Sequence, residues 1–157
     1  MSAQGSPPPR DPRWAERVRE SFARQALMQT MGATLERVEP GEVAIRLPFD
    51  ARFTQQHGYL HAGAVAAVVD SACGYAALSL MEPGAAVLSI EFKVNMLAPA
   101  AGASFVATGR VVRAGRTITV CAGELRAERE GDNGSTATLV AMMQATMMAV
   151  RGRGEAD

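Results

Sequence analysis

Between His61 and Met81 the chain is rich in Ala and Val, contains no proline, and carries one charged side chain, Asp70. It stops at Glu82-Pro83-Gly84, a strong helix terminator. At 1.5 Å per residue such a segment is a rod about 30 Å long. A helix that is apolar nearly all round must be buried, so the rest of the chain has to wrap around it. At 100° per residue, Asp70 shares its face with Gly63, Ala66, Ala67, Cys73, Gly74 and Ala77, while Val65, Val68 and Tyr75 fall opposite. The lone acid therefore lies on a stripe of small residues. A buried carboxylate needs compensation: either a structural partner or a substrate that the acid acts upon.

The wrapping material reads as strands. Val87 to Leu97 alternates, with Leu88, Ile90, Phe92, Val94 and Met96 on one face and Ser89, Glu91, Lys93 and Asn95 on the other. Ala103 to Arg113 and Thr117 to Arg129 are joined by the short loop Ala114-Gly115-Arg116. In the second of these the apolar phase slips between Val120 and Leu125, which predicts a bulge near Gly123. Asp132-Asn133-Gly134 marks a turn before a last strand, Thr136 to Val150. Upstream, Ala33–Val38 and Glu42–Phe49 flank the turn dipeptide Pro40-Gly41, and the periodicity of Trp14, Val18, Phe22, Ala26 and Leu27 predicts one amphipathic helix from Arg13 to about Met31. Residues 1–11, rich in Pro, Gly and Ser, are expected to be disordered, residues 12–150 to form a single domain, and 151–157 a flexible tail. The class is α+β, a curved antiparallel sheet around one long central hydrophobic helix. Such a sheet has long edges, which pairing in a dimer or larger oligomer removes.

Charge and composition exclude several functions. Lys+Arg and Asp+Glu both number 16, the pI is near 6.7 and aromatic residues make up 5%. There is no basic surplus or stacking platform for nucleic acid. Cys73 and Cys121 lie in apolar surroundings without disulfide or metal spacing, so they read as small buried hydrophobes in a reducing compartment. The N-terminal stretch has no apolar run of the signal-peptide kind, and residues 134–150 are shorter than the roughly 20 needed to span a bilayer. A cytoplasmic protein with no membrane partner is expected.

Three groups of residues could carry chemistry. Asp70 is the first. The second is the run Gln55-Gln56-His57-Gly58-Tyr59-Leu60-His61-Ala62-Gly63, whose free backbone N–H groups at a helix start suit an anion or a developing oxyanion. Read structurally, it is a polar loop with an N-cap. His57 and His61 lack a third ligand, so no metal is expected. Arg113 and Arg116, at a strand turn, are either solvated or placed to hold a phosphate. Ser89 and Asn95 either line a pocket or face solvent. The pairs Met142-Met143 and Met147-Met148 read as adaptable core.

The pattern Gln55-x-x-Gly58-x-x-His61-Ala62-Gly63-x6-Asp70 resembles the active-site signature of hotdog-fold thioesterases of the phenylacetate-degradation (PaaI-like) type. The resemblance continues through Ser89-x-Glu91-x-Lys93-x-Asn95-x-Leu97-x-Pro99-Ala100 and through Gly109 to Thr117, and spans roughly Ala33 to Val150. It implies a hotdog fold and a cofactor-free acyl-CoA thioesterase acting as a homodimer or homotetramer. Carried over by position, Asp70 would be nucleophile or general base, Gln55 would position the thioester or water, and His61 would orient the loop. The N–H of Ala62, beside Gly63, would polarise the carbonyl, with Ser89 and Gly74 at the substrate. CoA phosphates would lie near Arg113 or Arg116. Two departures are visible: Ala62 stands where the family has the middle glycine of His-Gly-Gly, and Gly74 where many relatives place Ser or Thr. Ala62 and Asp70 are about 12 Å apart along one helix, too far to act on one carbonyl, so the pair must form across a dimer. A hotdog hydratase or dehydratase with His61 as base, and a non-catalytic acyl-CoA-binding protein, are the alternatives.

Overall fold

The computed structural model describes residues 7–130 and 136–152. The turn expected at 132–134 and the expectations for 1–6 and 153–157 lie outside the described residues. Two helices open the chain, α1 (Trp14–Arg24) and α2 (Ala26–Thr30), followed by the hairpin β1 (Thr34–Glu39) and β2 (Glu42–Pro48). The long apolar helix is α3 (Ala62–Leu78), and after it come β3 (Ala86–Met96), β4 (Ser104–Ala114), β5 (Ile118–Glu128) and β6 (Thr138–Val150). The six strands form one antiparallel sheet in the order β1-β2-β4-β5-β6-β3. As its composition requires, α3 lies against β2, β4, β5, β6 and β3, and Val65, Val68, Val69, Ala72 and Cys73 are fully buried.

Two glycines set how closely α3 sits. Gly109 of β4 and Gly123 of β5 are direct cross-strand partners. A Cβ on Gly109 would come within 2.4 Å of the backbone of Ala72 and Cys73, and one on Gly123 within 2.5 Å of Val69 Cγ1. Their absence of side chains forms the slot in which the helix rests.

The predicted bulge at Gly123 does not exist. Thr119, Cys121, Gly123, Leu125 and Ala127 alternate without interruption on the helix side of β5, and Ile118 and Val120 lie on the outer face. The apparent phase slip came from reading Ile118 and Val120 as core. The irregularities fall elsewhere, and the one in β3 matters most. Ser89 pairs with Met147 but Glu91 pairs with Thr146, so Ile90 is bulged out. Cross-strand partners share a face. Ser89 thus joins the buried side with Met147, and beyond the bulge Phe92, Val94 and Met96 take that side opposite Ala145, Met143 and Ala141. Strict alternation had placed Ser89 with Asn95; the bulge puts them on opposite faces.

The single N-terminal helix expected from periodicity is broken at Gln25, whose ψ of 95° is extended. Neither Gly nor Pro marks the break; the Gln25 side chain instead accepts from the Ser71 hydroxyl of α3 at 3.3 Å. Within the segment expected to be disordered, Asp11 is buried and lies 3.2 Å from Arg17. Arg17 is also buried and donates to the carbonyls of Leu78, Met81 and Glu82 at 2.9, 3.0 and 2.6 Å. It satisfies the carbonyls orphaned at the end of α3, where positive charge is favoured.

Candidate active site

Asp70 is half-buried near the middle of α3 and lines a cavity of about 420 Å³. The bulge at Ile90 brings Ser89 to it: the Ser89 hydroxyl donates to Asp70 Oδ1 at 2.6 Å and also lies 3.3 Å from Met147 Sδ. Asp70 Oδ2 accepts no hydrogen bond from the described residues, in a side chain that lines the cavity. Gly74 lies one turn further along, and a Cβ there would meet nothing within 4 Å. The small-residue stripe is closed at Cys73 and Ala77, which are sealed in the core, while Gly63 is exposed and Ala66, Ala67, Asp70 and Gly74 are half-buried. Burial pushes the Cys73 thiol far above its ordinary range, with Cys121 and Asp70 adding to the shift, and burial pushes Cys121 up to about 12. Neither sulfur is a nucleophile at neutral pH.

The second candidate region is built by a different device. Gln55 N–H donates to Tyr59 O at 2.9 Å and Gly58 N–H to Gln55 O at 3.0 Å, while Thr54 bridges to Leu60, so the loop closes on itself. Gly58 has φ +82°, a left-handed conformation that glycine adopts without strain. The Gln55 side chain folds back to accept from the His57 N–H. His61 is the N-cap of α3: its Nδ1 accepts from Gly63 N–H at 2.8 Å. In this role Nδ1 is an acceptor, which leaves Nε2 as the ring's donor atom. His61 N–H donates to Phe53 O at 2.8 Å, and the first free N–H of the helix, that of Ala62, makes no hydrogen bond among the described residues. It opens into a hollow that Gln55, Tyr59 and Pro99 also line.

The two regions do not meet within the chain: the Asp70 cavity and the Ala62 hollow share no lining residue. Ser89 and Gly74 join Asp70. Asn95 does not; it accepts from Lys93 Nζ at 2.7 Å on the outer face of the sheet. Arg113, exposed at the end of β4, and Arg116, in the β4–β5 loop, line neither region. The sequence reading missed Ser21, Arg24 and Gln25, which line the same cavity as Asp70. Ser21 and Arg24 belong to α1 and Gln25 to the break after it, and no local signal announces that break.

The sequence and the fold are similar to those of known proteins. The profile of the thioesterase superfamily matches residues 57–132. A candidate esterase of Saccharolobus solfataricus is 31% identical over 100 residues, which are 64% of this chain and 70% of its own length. The crystal structure of a thioesterase family protein from Silicibacter pomeroyi is 51% identical, covering 88% of this chain and 99% of that one, with a TM-score of 0.84. The chain belongs to the thioesterase superfamily. As a member it has the hotdog fold expected from the resemblance, and its activity class is that of a hydrolase. The E. coli PaaI protein shares the fold at a TM-score of 0.78 and 18% identity, covering 89% of this chain and 95% of that one. No described helix of this thioesterase superfamily member is long and apolar enough to cross a membrane.

Proposed function

We propose that this chain is an acyl-CoA thioesterase whose active site is shared between two subunits. Asp70 would come from one, and the helix start at Ala62 with its Gln55–Gly63 loop from the other. The observation that carries the reading is the separation of the two half-sites. Asp70, with one carboxylate oxygen unpaired among the described residues, lines one cavity, and Ala62, whose N–H makes no hydrogen bond among them, lines a second hollow that shares no lining residue with the first. Strand β3 supports the pairing: it is an edge of the sheet, and Phe92 and Met96 are 45% and 41% exposed on the side that should be covered. Two copies joined along β3 would extend the sheet and remove that edge. The acyl-CoA class rests on the sequence signature around Asp70 and His61, to which the superfamily membership adds support.

In this reading the thioester carbonyl is held by the partner subunit's Ala62 N–H at the positive end of α3, where charge on the oxygen is stabilised. Ser89 donates to Oδ1 and fixes the carboxylate plane, so Oδ2 addresses the carbonyl carbon or a water. By either route the C–S bond breaks, the thiolate leaves and is protonated, and water supplies the oxygen of the acid. His61 acts by capping α3 and so presenting the Ala62 N–H, with its Nδ1 already committed to Gly63. The test is thiol release from aryl- and fatty-acyl-CoA by wild type and Asp70→Asn. Turnover that falls by several orders of magnitude in the near-isosteric variant supports the reading. Equal turnover would make Asp70 structural, and acyl-CoA binding without thiol release would place the chain among non-catalytic acyl-CoA binders.

A further inference from the structure

The Asp70 cavity is unlike a site for a plain hydrocarbon chain. Ser21 and Arg24 of α1 and Gln25 just after it line the same space of about 420 Å³ as Asp70 and Ser89. Arg24 is the only cation lining the cavity, and it makes no ion pair or hydrogen bond with a described residue. On the same helix Arg17 is paired with Asp11, while Arg19, like Arg24, makes no ion pair with a described residue; only Arg24 lines the cavity. Gln25 is half-buried, its amide oxygen taken by the Ser71 hydroxyl, which leaves its NH2 group available to an acceptor. An apolar acyl tail filling this space would offer the Gln25 amide no hydrogen bond and the Arg24 guanidinium no counter-charge.

Building on the thioesterase reading, we infer that Arg24, aided by Gln25, selects acyl groups whose far end carries a carboxylate. The electrostatics require such a group for that substrate class. A second carboxylate entering beside Asp70 meets like-charge repulsion, and a forked guanidinium lining the same cavity offsets it with two parallel N–H···O bonds. Carbonyl at Asp70 and carboxylate at Arg24 would then fix both ends of the substrate in one cavity.

The experiment compares kcat/KM for adipoyl-CoA against hexanoyl-CoA, and suberoyl-CoA against octanoyl-CoA, in wild type, Arg24→Gln and Arg24→Lys. Circular dichroism and melting curves check the fold; Arg24 is an exposed helix-terminal residue, so both variants should melt like wild type. Wild type should prefer the carboxylate-terminated member of at least one pair by tenfold or more. Arg24→Gln should abolish that preference while leaving the neutral chain within about threefold, and Arg24→Lys should keep part of it. Preference for the neutral chains in wild type would overturn the inference and leave the thioesterase reading standing. So would an equal loss on both members of a pair in Arg24→Gln, since Arg24 would then be acting through Asp70. Absence of thiol release from all four substrates would overturn the thioesterase reading, and this inference with it.

Discussion

Replacing Ala62 by proline removes one hydrogen-bond donor and almost nothing else. Ala62 is the first residue of α3, a position proline favours because its fixed φ suits the helix and the missing N–H has no intrahelical partner. The residue before a proline must be extended, and His61 already is, at φ −64° and ψ 141°. The His61 cap on Gly63 N–H and the His61 N–H bond to Phe53 O are both untouched. Stability should therefore hold or rise by about 0.4–1 kcal/mol, through a less flexible unfolded chain. If the Ala62 N–H holds the developing oxyanion, its loss costs about 2.7–4 kcal/mol of transition-state stabilisation, or roughly 10²–10³ in kcat. Melting curves and thiol release on the same preparations separate the two effects. A variant that melts like wild type and keeps its kcat within tenfold would refute the oxyanion role of this N–H.

Two further outcomes follow from the packing of α3. Gly109→Ala drives a Cβ to 2.4 Å from the helix backbone and should cost about 3 kcal/mol or more, visible as a Tm drop of roughly 10 °C. Gly123→Ala meets the side chains of Val69 and Cys73, which can shift, so its cost should be smaller; equal effects would contradict the slot. Cys73 and Cys121 are both fully buried with raised thiol pKa values, so iodoacetamide should label them only as the protein unfolds; rapid native labelling would contradict that burial.

The parts of this molecule legible in its sequence are those fixed by period and punctuation. The near-total absence of charge from His61 to Met81 made α3 a core helix, and Pro40-Gly41 closed the β1–β2 hairpin where expected. Asp70, as the single charge on that helix, and Ser89, through the family resemblance, were both visible as candidates, and the fold joins them. Illegible were features decided by tertiary contact. The bulge at Ile90, which turns Ser89 inward and Asn95 outward, sits in a run whose alternation is perfect in letters. The phase slip read between Val120 and Leu125 arose because an isolated strand does not reveal which face its helix will take. The burial of Arg17 had no local signal, because nothing nearby in sequence shows that the carbonyls at the end of α3 lie beside it. The break at Gln25, beside the cavity, has neither glycine nor proline to mark it.

The central claim is that each site combines Asp70 of one subunit with the helix start of another. Asp70→Asn and Ala62→Pro chains should each be inactive alone, and should be co-expressed or refolded together so that subunits mix at random. In a two-fold dimer with shared sites, half of the mixed population pairs an intact Asp70 with an intact Ala62 at one of its two sites, so activity should return to about a quarter of wild type. If each chain carried a complete site of its own, every chain in the mixture would lack one essential group, and no activity would return.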